Sequence, residues 1–144
     1  MTTVQDILSH KGHHVHSTAA DTTALDAARL MNQHRIGALV VTRGEKMAGI
    51  FTERDLLSRV VVAQRDPAAV RVHEIMTTPV ACCTPQTTRD ECRTVMRTKR
   101  LRHLPVVEGD RVIGMISIGD LYEAAAAAQE ATIQYLHDYL MSGR

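Results

Sequence analysis

The eight residues GIFTERDL at 49–56 return as GMISIGDL at 114–121. Both read glycine, two apolar residues, a hydroxyl, two variable positions and Asp-Leu. Sliding the chain on itself by the same 65 residues (49 to 114) aligns far more than this phrase. Thr22 and Thr23 meet Thr87 and Thr88, Met31 meets Met96, and Arg35 meets Arg100. Leu39 and Val41 meet Leu104 and Val106, Gly44 meets Gly109, and Asp55 meets Asp120. No gap is needed from Val15/Val80 to the end of the phrase. Upstream, VQDIL at 4–8 is similar to VHEIM at 72–76 at an offset of 68, so the first connector is three residues longer. A duplicated unit constrains the fold more than any local propensity, because each copy must bury its open face on the other.

Each copy carries the same string of predicted elements. A short strand is expected near Val15–His16 and near Val80–Ala81. A helix follows, opened by Thr23-x-x-Asp26 and by Thr88-x-x-Glu91, both of capping-box form. Ala27, Leu30 and Met31 correspond to Cys92, Val95 and Met96, an i, i+3, i+4 set that predicts the core-facing side. Apolar, β-branched runs at 36–41 and 101–107 and again at 47–51 and 112–116 predict strands joined by turns at Gly44 and Gly109. The repeated phrase marks the passage from the last strand into a second helix. The segment AQRDPAAVR at 63–71 reads as a linker. The fold class expected is mixed α/β (α+β): two β-α-β-β-α repeats, 1–65 and 66–125, packed about a pseudo-twofold axis. Residues 126–144 form a C-terminal helical extension. About 60 residues bury too little surface to stand comfortably alone.

Two readings compete for the phrase itself. A Ser or Thr followed three residues later by an acid is a helix-start signature, so Thr52–Asp55 and Ser117–Asp120 can be simple caps. Three features favour a site: the strand leads directly into the helix, the acid is Asp twice where Glu is usual, and the duplication brings both helix starts to facing clefts. A helix N-terminus offers free N–H groups and a positive dipole end to a phosphate. An Asp in the first turn can accept the two hydrogens of a ribose diol, and apolar strand residues of the other copy can sandwich a flat base. The constellation suits a nucleotide and carries no reaction machinery.

On these residues the chain resembles a tandem pair of CBS domains, a Bateman module, in its standalone bacterial form. The doubled G-h-h-[TS]-x-x-D, the strands RIGALVV and RHLPVV and the gapless offset cover essentially all of Val4 to Ala125. The resemblance implies a regulatory, non-catalytic module that binds an adenine nucleotide (AMP, ADP, ATP or NAD, sometimes S-adenosylmethionine) between its repeats and modulates a partner enzyme. It implies a first cleft built on Asp55 at the ribose, with Thr52 and Arg54 near phosphate and Val80, Ala81, Leu101 and Arg102 from the second repeat. A second cleft would use Ser117 and Asp120 with Val15, His16, Ile36 and Gly37. Gly119 stands where the first copy has Arg54, so the second cleft lacks that cation, and Arg102 or His103 is expected to supply charge instead. The alternatives are an interaction protein with empty clefts and a CBS protein that binds RNA or DNA through the basic run 93–103.

The remaining features narrow the class. A formal charge of +1 gives no whole-chain electrostatic case for nucleic acid, and 3% aromatic content leaves few base-stacking platforms. No apolar run approaches the ~20 residues of a membrane helix, and the N-terminal residues lack a signal-peptide core. Three cysteines without C-x-x-C spacing fit a reduced, cytoplasmic chain. HKGHHVH at 10–16 holds four histidines, but no local Cys or carboxylate completes a tetrahedral metal set, so it reads as a solvated loop. In the tail, Ile133, Leu136 and Leu140 recur at helical spacing beside Tyr135 and Tyr139, which predicts a homodimer contact through the terminal helix.

Overall fold

The computed structural model describes residues 1–142 of the 144-residue chain. Thr23 and Thr88 accept from the N–H groups of Asp26 and Glu91 at 3.2 and 3.1 Å, opening α2 (Ala24–His34) and α5 (Arg89–Lys99). Glu91 closes a reciprocal box on Thr88, whereas Asp26 turns to Arg29 at 3.2 Å. Ala27 and Met31, like Cys92 and Met96, are buried on the inward face, with Leu30 and Val95 packed partly against them. Both helices end on an arginine in the left-handed region, Arg35 and Arg100, each with φ 54°.

The strands follow in register. β1 (Ser17–Ala19) runs parallel to β2 (Ala38–Arg43), which pairs antiparallel with β3 (Lys46–Thr52). In the second repeat β4 (His103–Glu108) pairs antiparallel with β5 (Arg111–Ser117). Each hairpin slips register at the same place, after Val41 and after Val106. The first strand of each repeat departs from expectation. It begins after Val15–His16 in one copy, and in the other it shrinks to one bridge, Cys83 against Val106. The cause is proline. Thr18 pairs Val41 as Cys83 pairs Val106, but the flanking rungs of the first repeat, Val40 N–H to His16 and Ala20 N–H to Thr42, need donors. Their counterparts are Pro105 and Pro85, which have no N–H to give.

The second helix of the first repeat is also not a plain α-helix. α3 (Glu53–Leu56) opens directly from β3 and widens into a π-helical stretch over Leu57–Val61, which keeps Asp55 and Val60 buried. The corresponding α6 (Ile118–Ser142) runs unbroken through the alanine-rich tail; residues 143 and 144 of the expected extension lie outside the described residues. Among the described residues no helix is long and apolar enough to cross a membrane.

The two cores exchange their leading helices. α1 (Val4–Lys11) sends Val4, Ile7 and Leu8 into the core of the second repeat, beside Cys92, Leu104 and Ile116. α4 (Val72–Ile75), which leads the second repeat in sequence, sends Val72 and Ile75 into the first, beside Met31, Leu39 and Phe51. Matching backbone bonds fix both crossings: Val4 N–H to Thr87 at 2.8 Å and Val72 N–H to Thr22 at 2.8 Å. The glycine of the repeated phrase exists for this exchange. A Cβ on Gly49 would lie 2.6 Å from Met76 Sδ and 2.9 Å from the Thr77 carbonyl, and one on Gly114 would lie 2.8 Å from Leu8 Cδ2. The contact at Gly49 includes backbone, which itself pairs with Ile50 through two bonds of 2.8 and 3.0 Å. Gly49→Ala should therefore cost more than Gly114→Ala, about 1–3 kcal/mol for the former in urea unfolding. Leu8→Ala should cost about 2–5 kcal/mol and loosen the core of the second repeat, although Leu8 lies in the first repeat in sequence.

Candidate functional site

Both copies of the phrase close as capping boxes. Asp55 Oδ2 accepts from Thr52 N–H at 3.0 Å and from its hydroxyl at 3.1 Å, while Thr52 Oγ1 accepts from Asp55 N–H at 3.2 Å. Asp120 Oδ2 accepts from Ser117 N–H at 2.7 Å, and Ser117 Oγ accepts from Asp120 N–H at 3.2 Å. Choosing Asp over Glu therefore does not set these positions apart from caps. What sets them apart is the second partner of each carboxylate, and it differs between the two.

Asp55 is the buried charged side chain of the described core, at 5% exposure. Its Oδ1 accepts from the Thr77 hydroxyl at 2.9 Å, with Arg59 Nε at 3.9 Å. Arg59 in turn donates to the Ile75 and Met76 carbonyls at 3.2 and 2.8 Å, tying the end of α4 to the helix that Asp55 starts. Arg54 crosses to the second repeat and donates to the Arg100 carbonyl at 2.9 Å. Val80, Ala81 and Leu101 are half-buried, and Ala81 and Leu101 pack at the edge of the second core. Arg102 is exposed, and its carbonyl accepts from Ile118 N–H at 2.9 Å. The first expected site is thus a braced seam.

The other expected site is an open cleft of about 360 Å³ between the repeats. His16, Ile36 and Gly37 of the first repeat face His103 and Ser117 of the second across it. Val15 is half-buried and does not line it. Asp120 stands behind the wall, bound through Oδ2 to Lys11 Nζ at 2.6 Å, and Lys11 also donates to the Met115 carbonyl at 2.7 Å. Gly37 permits the closest crossing here, since a Cβ would meet Glu53 Oε1 at 2.7 Å and His103 Cε1 at 3.2 Å.

The cations of the cleft are not those expected from sequence. Burial pushes the His103 imidazole below its ordinary value near 6.5, only partly countered by Glu53, so it is biased neutral. Lys11 and Arg35 line the cleft instead. Lys11 was invisible to the repeat alignment because it lies in the connector, where α1 outruns α4. Arg35 was legible only as an aligned position, not as a cleft residue. Residues 12–16 of the histidine segment form a loop with His13 and His14 exposed, while His10 and Lys11 belong to the end of α1. His14 and His16 line the cleft, with ring centroids 4.3 Å apart, and His16 lies 4.2 Å from His34. Among the described residues no group of three or more side chains is placed to hold a metal ion. Arg93, Arg97, Lys99 and Arg100 of the basic run are exposed.

His103 yields a signed prediction. A base whose native pKa lies below its unfolded value binds fewer protons when folded, so stability is full above about pH 6.5 and falls as pH drops through the depressed native value. The melting temperature of the ligand-free chain should fall on acidification below neutrality, and His103→Gln should reduce that fall; an unchanged pH profile in the variant would remove His103 as its source.

The model of the CBS domain matches residues 3–62 and 72–127. The mitochondrial CBS domain-containing protein CBSX3 of Arabidopsis thaliana is 36% identical over 151 residues, covering 99% of this chain and 73% of that protein. A protein with CBS domains from Burkholderia ambifaria, provisionally described as acting in signal transduction, superposes with a TM-score of 0.85 at 43% identity, covering 89% of this chain and 96% of that one. A hexameric CBS-CP12 protein from bloom-forming cyanobacteria superposes with a TM-score of 0.75 at 27% identity over 85% of this chain and 70% of its own. This chain belongs to the CBS-domain family, as a tandem pair of repeats.

Proposed function

We propose that this tandem CBS-domain chain is a non-catalytic, cytoplasmic sensor that binds an adenine nucleotide of the AMP, ADP, ATP or NAD type and thereby modulates a partner protein. The observation that carries the reading is the cleft. It lies between the repeats, Arg35 and the Asp120-paired Lys11 line it, and Ser117, which caps a helix start with Asp120 behind it, lies at its edge. Ile36 and Ala38 give it apolar surface suited to a base. S-adenosylmethionine, which lacks phosphate, makes less use of the two cations.

Lys11 is held on Asp120 Oδ2, so a ribose diol that takes that oxygen would free an ammonium for phosphate. The first seam offers less. There Thr77 and Arg59 already hold Asp55, and Arg54 is committed to a carbonyl. Occupancy should therefore begin at the open cleft.

Thermal unfolding against AMP, ADP, ATP, NAD and S-adenosylmethionine, with GMP as control, tests this. A ligand at 100 times its dissociation constant adds about 2.7 kcal/mol, a rise of several degrees for a chain of this size. Asp120→Ala should reduce the rise more than Asp55→Ala. No rise with any adenine compound would leave both phrases as helix caps and shift attention to protein contacts.

A second reading concerns assembly. On α6, Ile133, Leu136, Tyr139 and Leu140 are all more than half exposed, a face that a homodimer would cover. The hexameric neighbour supports assembly as a property of such chains. Sedimentation velocity should give a dimer that Leu136→Glu with Leu140→Glu weakens at least tenfold, the scale of about 1.4 kcal/mol; a monomer at high concentration would refute it.

A further inference from the structure

The histidines at the cleft have no part in the reading above, yet His14 and His16, which line it, touch each other, and His34 touches His16. His16 sits between His14 and His34 with centroids 4.3 and 4.2 Å away, and His14 and His16 both face the cleft. His103 faces them from the second repeat. A phosphate-bearing ligand entering here meets Lys11 from α1, Arg35 from the end of α2, and this imidazole wall.

We propose that the His14–His16 pair lining the cleft, with His34 packed on His16, is a subsite for a pyrophosphate, so that a dinucleotide such as NAD is bound together with proton uptake. The inference rests on the nucleotide reading and adds the regulation of that site by pH.

The physical case is one of frustration relieved by an anion. Burial holds His16 below its ordinary value near 6.5, and the neighbouring His34 and then His14 lower it further, because adjacent imidazoles resist being charged together. Every other charge at the cleft has a side. At His103, Lys11 and Arg102 oppose protonation while Glu53 and Asp120 favour it, and the Lys11–Asp120 pair at 2.6 Å offsets both of its own members. Arg35 adds a further cation to the cleft lining. His16 is therefore biased toward its neutral form when the cleft is empty. A pyrophosphate diester, which does not itself titrate near neutrality, adds negative charge among these groups and raises the pKa of the wall. By linkage, a ligand that raises a pKa binds more tightly below it. Affinity should rise as pH falls through the raised value and level off below the depressed one.

The test is calorimetric titration of the full chain with NAD at about pH 5.5 and about pH 8, with uncharged adenosine as the control. The expected result is NAD binding about tenfold tighter at the lower pH, which corresponds to a one-unit pKa rise on one imidazole, with adenosine unchanged. His16→Gln should flatten the NAD profile. In the unsubstituted chain, the histidine ring-proton NMR titration should show a midpoint for His16 that NAD moves upward, a readout that survives if the variant misfolds. NAD binding that is equally tight at both pH values, or a pH effect shared by adenosine, overturns the inference while leaving the nucleotide reading intact. Failure of every adenine compound to bind at either pH overturns the nucleotide reading, and this inference with it.

Discussion

The exchange of α1 and α4 between the repeats is the constraint on which the rest of the molecule depends. Each repeat lacks a wall that only the connector of the other can fill, so neither core is complete until both exist. Gly49 and Gly114 let those helices sit directly on β3 and β5, and matching backbone bonds at Val4 and Val72 hold them there. The crossing also carries the side chains that meet the two repeated Asp residues. Lys11 is the last residue of α1, and it reaches Asp120 because α1 belongs spatially to the second repeat. Thr77 follows α4 and reaches Asp55 of the first repeat for the same reason.

Asymmetry between the clefts arises from a few substitutions on this symmetrical frame. Arg54 spans the first seam to Arg100, while Gly119 at the equivalent place leaves the second open. The longer first connector extends α1 to Lys11 and then supplies the Gly12–His16 segment whose histidines line the cleft. The second connector ends its helix at Ile75 and enters a proline-bearing path that cannot complete a strand. Duplication thus set the scaffold, and the unequal connectors separated the roles of its two seams.

Much of the fold was legible because a period of 65 residues is a global signal that local ambiguity cannot erase. Capped helices at Thr23 and Thr88, their buried faces and the two hairpins all follow from it, whereas the coincident bulges were not anticipated. The shortened strand at Cys83 was in principle readable, since Pro85 and Pro105 stand where the first repeat uses N–H donors, but only once the register was known. The helix exchange was not readable, because VQDIL and VHEIM look alike and either repeat could have kept its own. At the cleft, His16, Ile36, Gly37, His103 and Ser117 do come together. Lys11 and Arg35 were missed as cleft cations because charge placed by a crossing helix or by a left-handed helix end has no signature in spacing.

Cap and site need not be rival descriptions of the phrase written twice. A capping box orients its carboxylate by spending one oxygen on the helix start, as Asp55 and Asp120 both do with Oδ2. The remaining acceptor capacity then points in a direction set by the backbone rather than by a free rotamer, at little further entropic cost. At Asp55 that capacity is spent on Thr77, which turns the phrase into a clamp between repeats. At Asp120 the lysine shares the capped Oδ2 rather than taking the second oxygen, and its side chain is about one-third exposed, a partner that solvent and ligand can both reach. Lys11 can rehydrate when sugar hydroxyls take its place, whereas losing Thr77 would leave an oxygen of the buried Asp55 without that donor. The same eight-residue phrase can therefore lock one seam and leave the other available for binding.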